Sequence, residues 1–224
     1  MENLLEKSVR GQHILKILEM ATQGMREPMI AEIVRVFGRD PYIILCACLL
    51  SLRSRDTQTQ PVCLKLFAEV KTPQDMLDYP INELETMIRS VGFYKTKTKT
   101  LKAVSRDLLQ RFSGKVPCSQ EELLSLPGVG RKTANLVLGE AWGVPALCVD
   151  THVHRLSNRL GLVKAQTPQE TENALKEIFP PEDWIRINYF FVMWGQNICV
   201  PISPFCSRCA LFPLCPQIGV KKAR

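Results

Sequence analysis

A chain of 224 residues is long enough for one large domain or two small ones, each with its own hydrophobic core. Hydrophobic residues make up 46% of it, which excludes the composition of a disordered chain. The formal net charge of +7 and the pI of about 9.0 favour a polyanionic partner such as nucleic acid, although many basic proteins bind none.

The N-terminal residues do not have the pattern of a secretory signal, because they carry Glu2, Glu6 and Lys7 and lack a long apolar stretch. The most apolar stretch, residues 42–50, is far short of the roughly 20 residues that a membrane helix needs. We therefore expect an intracellular protein with no membrane partner, cytoplasmic if its source is prokaryotic.

Apolar residues recur at helical spacing along most of the chain, beginning between Pro28 and Gly38. Asn82 and Glu85 have the spacing of a capping box, which predicts a helix start at Asn82 and a stop at Gly92.

Further helices are predicted by the apolar stripe over residues 101–112 and by two cap patterns, Ser119 with Glu122 and Thr167 with Glu170. No convincing run alternates apolar and polar residues between hairpin turns. The sequence therefore predicts an all-α fold.

Residues 119–142 are predicted to form two helices joined by the tight turn LPGVG at 126–130. Gly128 and Gly130 let the backbone turn sharply and expose its amides. Together with the first turn of the next helix, these amides would form an anion site that suits a DNA phosphate. The alternative is an ordinary turn between two helices.

Lys132 lies in the first turn of the second helix, where the positive end of the helix dipole disfavours a cation. Together with partial burial, this position would lower the pKa of the lysine. A neutral amine is the form that can attack C1′ of a sugar. The alternative is a solvated lysine on an amphipathic helix.

Asp150 is predicted to be the N-cap of a helix that ends at Gly161. Capping alone explains an aspartate there, but a carboxylate at that point could also stabilise an oxocarbenium-like sugar. His152 and His154 follow on the same helix. We assign His152 to the DNA-binding residues, with a plain polar face of the helix as the alternative.

The chain contains nine cysteines, and five of them are scattered among apolar neighbours, where they are interpreted as small buried side chains: Cys46, Cys48, Cys63, Cys118 and Cys148. The other four crowd together near the C-terminus: Cys199, Cys206, Cys209 and Cys215. In a reducing compartment such a group indicates metal binding rather than disulfides.

Four thiolates within 17 residues suit either a tetrahedral Zn²⁺ ion or a [4Fe–4S] cluster. Zinc ribbons usually present two CxxC pairs, whereas this segment has one. The intervals of six, two and five residues, with Pro216 after the last cysteine, favour the [4Fe–4S] cluster.

Taken together, these motifs resemble the endonuclease III family of the helix-hairpin-helix DNA glycosylase superfamily over most of the chain, from Pro28 to Pro216. The resemblance is carried by the cysteine spacing and by these segments: LPGVGRKTAN at 126–135, VDTHV at 149–153, LLS at 49–51 with Asp56, and GFYKTK at 92–97.

The resemblance implies two all-α domains. A six-helix barrel with the hairpin at about 119–142 would span residues 33–144. The other domain would join residues 1–32 to residues 145–224 and carry the cluster loop at 199–215. The active site would lie between the domains.

The resemblance also implies a base excision repair enzyme that acts on duplex DNA as a monomer. Lys132 would displace a damaged base from a flipped nucleotide and form a Schiff base with C1′, while Asp150 would stabilise charge on the sugar. β-Elimination would then cleave the strand 3′ to the site. The expected substrates are oxidised pyrimidines, such as thymine glycol, and abasic sites. The cluster would be structural.

Further DNA contacts are implied by position. Phe93 would be a wedge that fills the space of the flipped nucleotide. Arg53 stands where the family commonly has a glutamine that contacts the opposite strand, so the opposite-base preference is open. The loop at 200–205 lacks the basic residues that the family often places against phosphate, a role that Arg208 or the pair at 221–222 could take instead.

Two alternatives remain at this point. One is a monofunctional relative, such as an adenine glycosylase, although these typically lack a lysine at the position of Lys132. The other is a non-enzymatic DNA-binding module with a structural zinc ion, which would need neither Lys132 nor Asp150.

Overall fold

The computed structural model describes residues 3–224, and within them the chain forms helices and no β-strand, which confirms the all-α prediction. None of the helices in this part of the chain is long and apolar enough to cross a membrane. The α-helices, numbered in chain order, are α1 (Leu4–Ala21), α2 (Met29–Phe37), α3 (Pro41–Ser51), α4 (Asp56–Glu69), α5 (Pro73–Asp78), α6 (Ile81–Met87), α7 (Tyr94–Phe112), α8 (Gln120–Leu124), α9 (Arg131–Trp142), α10 (Thr151–Arg159), α11 (Pro168–Ile178) and α12 (Trp184–Asn197).

The chain divides into two compact units. One is continuous, Met29–Val144, and contains six helices followed by the hairpin of α8 and α9. The other is discontinuous and joins the segment that ends at Pro28 to Pro145–Arg224.

Helix α3 forms the centre of the continuous unit. Every residue from Tyr42 to Leu50 is buried, because this helix is apolar all round and packs against α2, α4, α7 and α9. Asp40 fixes its start, since Oδ1 accepts the amides of Tyr42 and Ile43 at 2.9 Å. Each large apolar side chain buried here contributes about 1.5–3 kcal/mol to stability.

The predicted helix starts are correct at most positions and wrong at one. The side chains of Ser119 and Thr167 cap α8 and α11 as expected, and α2 spans the predicted segment. Asn82, however, does not cap α6, because the helix begins one residue earlier at Ile81 with Pro80 in the cap position. It also ends at Met87, well before the predicted stop at Gly92.

The discontinuous unit packs α1 into the C-terminal half of the chain. Its core is built from α1, α10, α11 and α12, with large buried side chains such as Leu15, Phe191 and Trp194. Gly11 permits the close approach of α1, since a Cβ there would lie 2.6 Å from Cζ of Phe179. Three of the clustered cysteines pack against the same core: Cys199, Cys209 and Cys215.

Candidate functional site

The hairpin of α8 and α9 turns sharply over residues 126–130. The amide of Val129 donates to the carbonyl of Leu126, and Gly128 adopts a φ of 74°, which favours glycine. A Cβ at Gly128 would also lie 2.8 Å from Cγ2 of Thr100, so α7 packs closely beneath the turn. Gly130 is the N-cap of α9 and brings no side chain to the amides of the first turn.

Lys132 lies in this first turn of α9, as predicted, but its side chain is exposed. The partial burial that we expected is therefore wrong. Of the two effects that would favour a neutral amine, only the position at the positive end of the helix remains.

Asp150 is the N-cap of α10, as predicted. Its Oδ1 accepts the amides of His152 at 2.8 Å and of Val153 at 2.9 Å, and Gly161 follows the helix with a φ of 66°. Because both cap bonds use Oδ1, Oδ2 takes no part in the cap. The same carboxylate can therefore hold the helix with one oxygen and act on a ligand with the other.

The two histidines on α10 have different surroundings. Nδ1 of His154 lies 2.6 Å from Oγ1 of Thr171, which joins α10 to α11 and gives His154 a structural role. Nδ1 of His152 lies 3.1 Å from a guanidinium nitrogen of Arg155. A Cβ at Gly195 would lie 2.9 Å from that imidazole, so His152 packs directly against α12.

Two arginines one turn apart on α10 hold the backbone around the first clustered cysteine. Nη2 of Arg155 donates to the carbonyls of Gly195 and Cys199, both at 2.9 Å. Arg159 is 8% exposed and donates to Sγ of Cys199 at 3.3 Å and to the carbonyl of Val200 at 2.8 Å. Neither arginine was identified from the sequence. Their spacing of four residues, on the helix that Asp150 caps, does place them on one helix face.

The four clustered cysteines line one cavity together with apolar side chains that include Leu156 and Trp194. Burial raises the pKa of the Cys209 and Cys215 thiols, although the amides of Leu211 and Gln217 act in the opposite direction. Within residues 3–224, no group of His, Cys, Asp or Glu side chains converges as the ligands of one metal ion would. Four cysteine sulfur atoms around one cavity suit a [4Fe–4S] cluster, which takes one thiolate at each of its four iron atoms.

Trp194 provides a second observation at this cavity. Its side chain is buried, and Nε1 has no hydrogen-bond partner among the described residues. The indole N–H faces the thiol of Cys209 and opposes the rise in the pKa of that thiol that burial causes. A buried donor without an oxygen or nitrogen acceptor calls for an explanation, and the sulfur atoms of a bound cluster would provide acceptors.

The other five cysteines were expected to be buried. The structure buries four of them and leaves Cys118 exposed, so that expectation is wrong for Cys118.

The loop at 200–205 gains positive charge from residues outside it. The guanidinium groups of Arg208 and Arg224 lie 4.4 and 4.0 Å from the ring centroid of Phe205. Nε of Arg224 also donates to the carbonyl of Ser203 at 2.9 Å. The structure thus adds two exposed arginines to the buried Arg159 at this loop. One of the two, Arg224, comes from the tail but lies beyond the lysine pair at 221–222.

The two remaining DNA-contact candidates, Arg53 and Phe93, both lie in the continuous unit. Each is exposed and each has a left-handed backbone, with φ of 54° and 59°. Arg53 follows the end of α3, and Phe93 is the N-cap of α7.

Comparison with known proteins agrees with this arrangement. Residues 46–181 match the model of the family described as HhH-GPD superfamily base excision DNA repair protein. Endonuclease III of Thermotoga maritima is 46% identical over 192 residues, which cover 84% of this chain and 90% of that protein. Endonuclease III of Bacillus subtilis is 39% identical, with 80% of this chain and 82% of the relative covered.

A solved structure described as a non-covalent endonuclease III–DNA complex superposes with a TM-score of 0.83 at 34% identity. It covers 94% of this chain and 95% of its own.

The chain therefore belongs to the HhH-GPD superfamily of base excision DNA repair proteins. This membership makes it an enzyme, a DNA glycosylase, and sets aside the non-enzymatic DNA-binding module. Within the superfamily, its identity to full-length relatives places it in the endonuclease III family.

Proposed function

We propose that this glycosylase removes oxidised pyrimidines, such as thymine glycol, from duplex DNA and then cleaves the strand 3′ to the abasic site by β-elimination. The observation that carries the proposal is the position of Lys132, an exposed residue at the start of α9, directly after the glycine turn. An amine at this position can reach a flipped nucleotide while the turn holds the neighbouring phosphate.

In the proposed reaction, Nζ of Lys132 forms a bond to C1′ as the bond between C1′ and the base breaks, and the base leaves with the electron pair. One proton passes from the nitrogen to the departed base. The C1′–O4′ bond then breaks and O4′ takes up a proton from solvent, which leaves a protonated Schiff base at C1′. Removal of a proton from C2′ then expels the 3′ phosphate. Asp150 stabilises the positive charge on the sugar, with Oδ2 as the oxygen outside the helix cap.

The partner is duplex DNA that contains a damaged pyrimidine or an abasic site, bound by a monomer. Backbone amides around Gly128 and Gly130 hold a phosphate, and Arg208 with Arg224 supplies charge near the loop at 200–205. His152, two residues from Asp150 on α10, is assigned to the DNA contacts as well.

The four cysteines that line the cavity hold a [4Fe–4S] cluster: Cys199, Cys206, Cys209 and Cys215. When bound, the cluster supplies a covalent cross-link within the C-terminal segment and no redox step in catalysis. Arg159 and Trp194 direct N–H groups toward its sulfur ligands. Together with Arg155, Arg159 joins this segment to the helix that Asp150 caps.

The test is borohydride trapping on a duplex with one thymine glycol. We expect wild-type protein to form a covalent complex and to nick the strand. Lys132→Ala should do neither, while its affinity for an abasic-site analogue stays within about threefold, because phosphate recognition comes mainly from backbone amides. Lys164→Ala is the matched control, since Lys164 is equally exposed but lies far along the chain from the hairpin.

Covalent trapping by Lys132→Ala would show that another amine is the nucleophile. Base release by wild-type protein without trapping or nicking would instead identify a monofunctional glycosylase.

A further inference from the structure

We propose that Lys97 is a positioning residue for lesion recognition. Its buried amine fixes the loop of Arg53 against the loop of Phe93, so that the two side chains enter the DNA as one rigid wedge. The inference rests on the proposed function and on the resemblance to the family, which implies that both side chains contact DNA.

Lys97 holds both ends of the segment that carries Arg53. Its side chain is 7% exposed, and Nζ donates to the carbonyl of Leu50 at 2.6 Å and to Oγ of Ser54 at 2.9 Å. Leu50 lies in the last turn of α3, where carbonyls have no amide partner within the helix and where a cation is favoured. One amine therefore stabilises the end of α3 and the loop that follows it.

The loop of Phe93 meets the same segment at Gly92. A Cβ at Gly92 would lie 3.2 Å from Oγ of Ser54 and 3.3 Å from the carbonyl oxygen of Arg53. The two loops therefore lie so close that an added Cβ would displace its neighbours by a few tenths of an ångström. The amide of Lys97 donates to the carbonyl of Phe93 at 3.0 Å, which places the lysine one helical turn from the wedge.

Both wedge residues have backbone conformations that need support. The left-handed region is unfavourable for residues other than glycine, and such conformations persist only where the surroundings fix them. Phe93 is 63% exposed, so its own side chain provides little packing to hold it. The bonds of Lys97 to Leu50 and Ser54, together with the close packing of Gly92 on Arg53 and Ser54, support the backbone around both positions.

A buried lysine is also an unfavourable choice if packing were its only role. Burial lowers the pKa of Lys97 to about 8, which reflects the cost of keeping a charge there. An apolar side chain of similar length would fill the same space without that cost. An apolar side chain could not donate hydrogen bonds to both the carbonyl of Leu50 and the hydroxyl of Ser54.

The first test compares two DNA substrates. Thymine glycol is placed in a fully paired duplex and, separately, within a short bubble of unpaired bases. Lys97→Met should lower the single-turnover excision rate about tenfold on the paired duplex but less than about threefold on the bubble, because a rigid wedge matters most where pairing and stacking must be broken.

The matched control is Lys102→Met. Lys102 lies on the same helix and donates to the carbonyls of Leu77 and Tyr79, so its removal costs similar contacts away from the two loops. This control should lose thermal stability yet keep the wild-type ratio between the two substrates.

A second variant and a second measurement test the proposal independently of Lys97→Met and of the excision rate. Gly92→Ala adds one methyl group between the loops. Because Gly92 does not have a positive φ, alanine can adopt its backbone conformation without strain. We therefore expect this variant to show the same selective loss of rate on the paired duplex. Fluorescence of 2-aminopurine opposite a tetrahydrofuran abasic analogue reports unstacking without any chemistry. We expect smaller enhancement with Lys97→Met than with wild type or Lys102→Met.

Equal rate loss on both substrates, or no loss on the paired duplex, would overturn the role of Lys97. If Lys97→Met does not fold, the same comparison of paired duplex and bubble is made with Gly92→Ala, and its result tests the proposal. If the wild-type protein increases the fluorescence of 2-aminopurine but excises no thymine glycol, the proposed function is wrong. The role of Lys97 in inserting the two side chains is then still supported.

Discussion

Asp150 offers a way to separate a structural from a catalytic contribution of one carboxylate. Its Oδ1 accepts two amides at the start of α10, at 2.8 and 2.9 Å. Asp150→Ala removes this cap and should cost about 1 kcal/mol, and at most about 2 kcal/mol, of unfolding free energy. For a chain of this size, that corresponds to a fall in the melting temperature of about 2–4 °C per kcal/mol. Asp150→Asn keeps a side-chain oxygen that can cap the helix, so its stability should stay near that of wild type.

The rate of covalent trapping should not follow the stability of these variants. Both Asp150→Ala and Asp150→Asn lose the negative charge proposed to stabilise the sugar, so both should trap covalently at a rate at least about tenfold below wild type. Thr167→Ala is the control for cap loss alone, because Thr167 caps α11 in the same unit and should lower stability without lowering the trapping rate. Urea unfolding and single-turnover borohydride trapping on thymine-glycol duplex measure the two effects.

Two results would contradict these roles of Asp150. If Asp150→Asn traps at the wild-type rate, the charge plays no part in the reaction and capping explains the residue completely. If Asp150→Ala unfolds at the same urea concentration as wild type, the two amide bonds do not stabilise the helix as the geometry indicates.

Two further predictions concern the C-terminal segment. Cys206→Ser should purify with reduced iron and a lower melting temperature, because the binding free energy of a cluster is also folding free energy; full iron content with normal stability would count against the ligand set. Arg208→Ala and Arg224→Ala should each reduce the slope of log affinity against log salt for undamaged duplex by about 0.9, the value for one lost phosphate contact. Unchanged slopes in both variants would show that these arginines only pack on Phe205.

The elements that could be predicted from the sequence are those whose signals are local. The caps at Ser119, Thr167 and Asp150 were predictable because a short polar side chain and the amides it accepts lie within three residues. The prediction at Asn82 was wrong because a competing start, Ile81 after Pro80, lies one residue away and the pattern alone does not rank the two.

The residues that sequence analysis missed bond to backbone carbonyls far along the chain. Lys97 stands within the run KTKTK, which is typical of a solvated helix face, and only packing shows that it is buried beside Leu50. Arg155 and Arg159 likewise bind carbonyls some 40 residues away. Every residue has a carbonyl, so no residue type marks such an acceptor in advance.

The packing of Gly11 against Phe179 has a consequence for how the protein is made. Residues 29–144 form a continuous unit that can begin to fold as soon as it leaves the ribosome. Gly11 of α1, by contrast, must wait for Phe179, which is synthesised more than 160 residues later. Until then the apolar face of α1, with Leu15 and Leu18, has no core to enter. The segment that carries the four clustered cysteines is synthesised after all of these helices. Binding of the proposed cluster is therefore a late event, and a ribosome that stalls before residue 199 leaves the hairpin with its lysine but none of the four cysteines.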